Sequence, residues 1–146
     1  MKDDFISPET RVFFRAKDAK KHDPGFGKGV VELCERVAET GSLNRAAKEM
    51  GMAYSKAWRI VKNSEKNLGV SLFVRQGAQG SCLTKEACAL VALYRRIERE
   101  IEALADDITQ EMLGEFREEG LFLPESFQIE KEASPELVAQ VRSLNF

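Results

Sequence analysis

Apolar positions recur at helical spacing in several separate stretches, and the breaks between them divide the chain. Val30, Leu33, Cys34, Val37 and Ala38 fall on one face of a helix over residues 30–39. Leu43, Ala46, Ala47 and Met50 follow at i, i+3, i+4 and i+7, behind Ser42, whose hydroxyl can accept a free backbone N–H at a helix start. Gly51 ends that pattern. A new one opens at about Ala53, with Ala57, Val61 and Leu68 inward and Ser55, Lys56, Arg59, Lys62 and Lys66 largely outward. Two short helices joined by a Gly-containing turn describe a helix-turn-helix, whose second helix can enter a DNA major groove. Residues 30–39 supply the support helix, because two short helices alone bury too little surface to be stable.

Two stretches carry a strand signal instead. Residues 10–15, TRVFFR, are rich in β-branched and aromatic residues and read as one strand. Residues 17–29, with Pro24, Gly25, Gly27 and Gly29, read as a loop, and residues 1–9 as a frayed end. After the helix-turn-helix, Gly69 breaks the period. Val70, Leu72, Phe73 and Val74 make a short strand, residues 76–81 a polar loop with two glycines, and Cys82 and Leu83 the return strand. A hairpin directly after a recognition helix is the wing of a winged helix. Arg75 at its base and the amides of Gly77 and Gly80 are placed to touch phosphate or the minor groove.

Thr84 caps a long helix in which Ala87, Leu90, Tyr94, Ile97, Ile101, Leu104 and Ile108 repeat at spacings of three and four. That heptad seam reads as a contact with the same helix of a second subunit; the alternative is packing on its own domain. Gly114 is the expected stop. The tail beyond it holds Phe116, Leu121, Phe122, Leu123, Phe127 and Ile129, too apolar for a linker. Ser134-Pro135-Glu136 then starts a last helix bearing Leu137, Val138, Val141 and Leu144. The tail either packs on the dimer helices or docks a partner protein. The expected fold is mostly α with a small β component: a winged helix-turn-helix over residues 1–84, a dimerisation helix over 85–114 and a tail over 115–146.

Composition changes this picture in three places. The net charge of −2 hides a segregation, since residues 42–75 carry seven Lys or Arg against two acidic residues, while residues 85–146 carry seven against fourteen. Salt screens charges beyond about 8 to 10 Å, so the local positive end can face DNA. Cys34, Cys82 and Cys88 are odd in number and, with the single His22, match no zinc spacing; they read as reduced, buried thiols, and no metal or cofactor is expected. No apolar run approaches the roughly 18 residues of a membrane span, and residues 1–11 lack the hydrophobic core of a signal peptide, so a cytoplasmic location and no membrane contact are expected.

On the second helix, Tyr54, Ser55, Lys56 and Arg59 lie where side chains reach base edges, and Arg59 can pair with a guanine bidentately. Lys62, Lys48, Arg45 and Arg75 are better placed for phosphate, which fixes position but not sequence. Trp58, between Ala57 and Val61, reads as a core residue. No paired carboxylates, Ser/His/Asp set or phosphate loop is recognisable; Glu65 and Asp106-Asp107 read as solvated helix charges, and catalysis is not expected.

Residues 41–58, GSLNRAAKEMGMAYSKAW, closely resemble the N-terminal DNA-binding domain of the molybdate-responsive ModE family, whose motif runs GSI-x-x-AA-x-x-MGMSY-x-x-AW. Downstream, Glu65, Leu68-Gly69-Val70, Leu72-Phe73-Val74-Arg75 and Leu83-Thr84 resemble the wider LysR-type pattern. The resemblance covers roughly residues 10–112 and implies transcriptional regulation by a winged helix-turn-helix with a long dimerisation helix. Three departures stand out: Ala53 replaces the Ser that caps the recognition helix, the wing loop is reduced to Gly77-Ala78-Gln79-Gly80, and Ala87 stands for the usual Gly. Nothing in the tail resembles the family's molybdate-binding motif, so no effector domain is expected. Two functions follow: a homodimeric, sequence-specific regulator on double-stranded DNA, or an interaction module that keeps the fold and uses its long helix and tail to hold a partner protein carrying an effector domain.

Overall fold

The computed structural model describes residues 6–18, 25–123 and 132–144. Parts of three expectations lie outside them: the frayed end over 1–5, the loop over 19–24, and the tail over 124–131 with Phe127 and Ile129. The chain forms two compact units, Glu9–Leu104 and Met1–Pro8 with Ala105–Phe146.

In the larger unit, α1 (Lys28–Thr40) buries Val30, Val31, Leu33, Cys34 and Val37. α2 (Leu43–Glu49) starts where expected, with the Ser42 hydroxyl accepting the Arg45 amide at 3.2 Å. The turn after it is closed by the Gly51 amide on the Lys48 carbonyl and the Met52 amide on the Ala47 carbonyl, both at 3.0 Å. Gly51 sits at φ 67, a left-handed conformation in which a side chain is strained. α3 (Tyr54–Leu68) begins at Ala53 without a side-chain cap and turns Ala57, Val61 and Ser64 inward. These faces meet around one core with Phe26, Leu72, Ala87 and Tyr94.

A two-stranded antiparallel hairpin follows, β1 (Phe73–Arg75) and β2 (Ser81–Leu83), in the register Phe73 to Leu83, Val74 to Cys82 and Arg75 to Ser81. Its loop is a single 3-10 turn over Gly77–Gln79. The hairpin is anchored to the end of α1, because the Ser81 amide donates to the Gly41 carbonyl at 2.9 Å. Gly80, at φ 94, lies so close to that carbonyl that a Cβ would collide with it. The Gly80 amide is turned into the loop toward the Gly77 carbonyl, so it does not offer the free phosphate donor expected from the sequence. α4 (Lys85–Glu118) starts on Thr84, whose hydroxyl accepts the Ala87 amide at 3.0 Å and donates to the Ser71 carbonyl at 2.6 Å.

Three sequence expectations are corrected. Residues 10–15 form no strand, only an isolated antiparallel bridge between Phe14 and Phe26. Gly114 does not stop α4, which continues to Glu118; a helical glycine costs about 1 kcal/mol, too little to end a helix of 34 residues by itself. The seam is also divided. Tyr94 is 2 % exposed within its own domain, edge-on to Phe14 and Phe26 at 5.7 and 6.3 Å, and Leu90 is packed against the same core. The aromatic residues of the N-terminal segment thus occupy the first half of the stripe, while Ile101 and Leu104 stay exposed.

In the smaller unit, the end of α4 buries Leu113 and exposes Ile108 and Met112. The chain leaves the helix through Gly120 at φ 86, with the rings of Phe116 and Phe122 6.1 Å apart. α5 (Pro135–Ser143) is capped by the Ser134 hydroxyl on the Leu137 amide at 3.3 Å and buries no residue; Leu137, Val138, Val141 and Leu144 are all exposed. Among the described residues no helix is long and apolar enough to cross a membrane.

Candidate nucleic-acid interface

With Ala57, Val61 and Ser64 fixing the inward face of α3, the helical period sets the opposite face. Ser55, Lys56, Arg59, Lys62 and Lys66 are all exposed there. Lys62 lies 3.1 Å from the Glu65 carboxylate, one turn on. Arg45 and Lys48 are exposed on α2. An open cleft of about 550 Å³ runs from them to the tip of the hairpin, lined also by Ser42, Asn44, Ala78 and Gly80.

The flank of α3 that faces the hairpin is different. Tyr54 and Trp58, one turn apart, meet Arg75 of β1: Nη2 donates to the Tyr54 hydroxyl at 3.1 Å, and Cζ lies 5.1 Å from the centre of the Trp58 ring. The Lys62 ammonium is 4.4 Å from the same ring. Trp58 is therefore not the core residue expected; it is 37 % exposed, with two cations beside it. Tyr54 and Arg75, separate candidates in the sequence, are brought together. Seven of the eight DNA-contact candidates belong to the helix pair, and Arg75 alone comes from the hairpin.

Residues 30–88 match the family of bacterial regulatory helix-turn-helix proteins of the lysR type. The matched segment opens in α1 and closes in the first turn of α4, taking in the helix pair and the hairpin. This segment is a LysR-type helix-turn-helix domain. A probable nitrogen assimilation transcriptional activator of Synechococcus elongatus is 39 % identical over 79 residues, 54 % of this chain and 25 % of that protein. The molybdenum transport protein ModE of Herbaspirillum seropedicae is 32 % identical over 71 residues, 46 % of this chain and 26 % of that protein. The chain thus spans about a quarter of the length of these curated relatives. A solved CbnR_DBD-DNA complex is similar to 57 % of this chain and 93 % of its own, at 28 % identity and a TM-score of 0.46.

Within the LysR-type domain, sequence reasoning missed Glu65. It is no solvated surface charge: its side chain is 13 % exposed, and Oε2 accepts the Leu72 amide at 2.7 Å while Oε1 pairs with Lys62. It thereby ties the end of α3 to the residue before β1. The signal was its position three residues before Leu68-Gly69, where an acidic group reaches past the end of the helix. Cys34 is buried as expected, but Cys88 is exposed on α4 and Cys82 is half-buried. Among the described residues no group of three or more His, Cys, Asp or Glu side chains could hold a metal ion.

Proposed function

We propose that the chain binds double-stranded DNA in a sequence-specific manner as a homodimer and regulates transcription. The observation that carries this reading is the outward face of α3, where Ser55, Lys56 and Arg59 are exposed on a helix whose opposite side is locked into the core. Side chains on the first turns of such a helix reach base edges, while Lys62, Arg45, Lys48 and Arg75 flank them as phosphate contacts. The relatives' names, a probable transcriptional activator and an HTH-type transcriptional regulator, support the same role. Ile101, Leu104 and Ile108 support the dimer: they continue the heptad spacing beyond Tyr94 and lie exposed in the single chain.

Selection of bound sequences from a random duplex pool tests this. Enrichment of a two-fold-symmetric site, with half-sites about one helical turn apart, is the expected result. No enrichment, with only weak salt-sensitive binding, would favour the second reading, an interaction module. That reading draws on the four exposed apolar residues of α5, which fit a surface that holds another protein.

A further inference from the structure

Arg75 is held differently from the cations of the larger unit that form ion pairs. Arg36, Arg95, Arg96 and Lys62 each end on a carboxylate, at 2.6 to 3.4 Å. Arg75 meets only neutral groups, the Tyr54 hydroxyl and the Trp58 ring, and pairs with no carboxylate among the described residues. The difference matters because a carboxylate both orients and cancels a positive charge. A hydroxyl oxygen and a π-face orient it and leave it uncancelled. An arginine fixed in this way has lost its rotamer freedom before any anion arrives, so binding one costs less.

The surroundings fit an anion. The Lys62 ammonium, 4.4 Å from the same ring, is paired with Glu65, so Arg75 carries the uncancelled charge beside it. Glu65, the acid that lines the same groove, is taken by Lys62 and by the Leu72 amide. A half-open groove of about 130 Å³, lined in part by Tyr54, Trp58, Lys62 and Arg75, lies between α3 and the hairpin.

We propose that Tyr54 and Trp58 are positioning residues that hold Arg75, at the junction of α3 and the hairpin, as a preorganised site for one backbone phosphate of duplex DNA. The proposal rests on the DNA-binding reading and deepens it. It moves Tyr54 from reading bases to supporting the Arg75 guanidinium. Because a phosphate carries no sequence information, the three residues set affinity and register rather than base preference.

The test is the affinity of the full chain for its selected duplex and for a random duplex of equal length, across a range of salt. Each phosphate contact adds about 0.9 to the salt slope, so Arg75→Gln is expected to lower it by about one. Tyr54→Phe and Trp58→Leu are each expected to weaken both duplexes equally, by roughly three- to tenfold, and to lower the slope. Trp58→Phe, which keeps a π-face, retains more affinity than Trp58→Leu. In the Arg75→Gln background neither Tyr54→Phe nor Trp58→Leu has a further effect. Additive losses, or a changed base preference at constant slope, would overturn the positioning role. A slope unmoved by Arg75→Gln in a chain that still binds its duplex would overturn the phosphate site alone. A parent chain that binds no duplex would overturn the DNA-binding reading and this site with it.

Discussion

Arg95 meets Glu35 fork to fork: Nη2 lies 2.6 Å from Oε1 and Nε 3.2 Å from Oε2, while Nη1 reaches Glu98 at 2.7 Å. The pair joins α4 to α1 and so fixes where the long helix leaves the DNA-binding domain. Both side chains are about a third exposed, and water screens the attraction. Glu35→Gln is therefore expected to cost only about 0.5–1 kcal/mol in urea unfolding, with the deficit shrinking at high salt. An equal deficit at low and high salt would show that charge is not its source.

Glu65 is the more demanding case, because its carboxylate serves the amide of the fully buried Leu72. Glu65→Ala leaves that N–H without a partner and is expected to cost about 1–3 kcal/mol, with Glu65→Gln recovering part of it. Loss of the β1–β2 pairing should accompany the alanine variant, visible as faster amide exchange at Val74 and Cys82. Unchanged exchange would mean that the hairpin does not depend on this bond.

The long helix makes two opposite predictions along one stripe. Tyr94→Ala removes a ring from the core and should destabilise the chain by about 3–5 kcal/mol without touching an exposed surface. Ile101→Glu changes an exposed position, so the monomer should tolerate it, but a dimer that covered it would bury a charge. Sedimentation should show Ile101→Glu at half the mass of the unsubstituted chain. An unchanged mass would remove Ile101 from the subunit contact.

The cysteines differ in access, and burial governs the titration of Cys34. Burial, assisted by the Glu35 charge, pushes the Cys34 thiol up from 9.0 to about 12. In the unfolded chain the thiol ionises first, so the folded state binds more protons between those values, and stability falls as pH rises. The contribution of the neutral buried thiol is complete below about pH 9 and is lost toward pH 12. Cys34→Ala should flatten that decline, and an identical slope would contradict it. At pH 8 an alkylating reagent should modify exposed Cys88 well before Cys34.

How far the fold could be read in the sequence depended on whether a feature was local. Ser42 capping α2, Gly51 turning the chain and Thr84 starting α4 are each decided within a few residues, and all three stand where the sequence placed them. What was missed is long-range. The heptad spacing marks Tyr94 as apolar-facing, but not that Phe14 and Phe26, far away in sequence, already cover it. Trp58 lies on the border of the α3 core face, where periodicity does not say whether the neighbouring hairpin buries a side chain or offers it cations. Glu65 looked like surface charge because its partner, the Leu72 amide, belongs to backbone beyond the helix. The strand expected at 10–15 reduced to one bridge because only Phe14 finds a backbone partner, in Phe26.

That the outer face of α3 reads DNA is tested by the affinity of Lys56→Gln/Arg59→Gln for the duplex selected by the unsubstituted chain. Both side chains are exposed, so the fold should be unaffected and unfolding midpoints equal. A loss of at least tenfold on the selected duplex and a smaller loss on random duplex is expected, since a base contact contributes about 1–3 kcal/mol of discrimination. Binding as tight and as selective as that of the unsubstituted chain would contradict it.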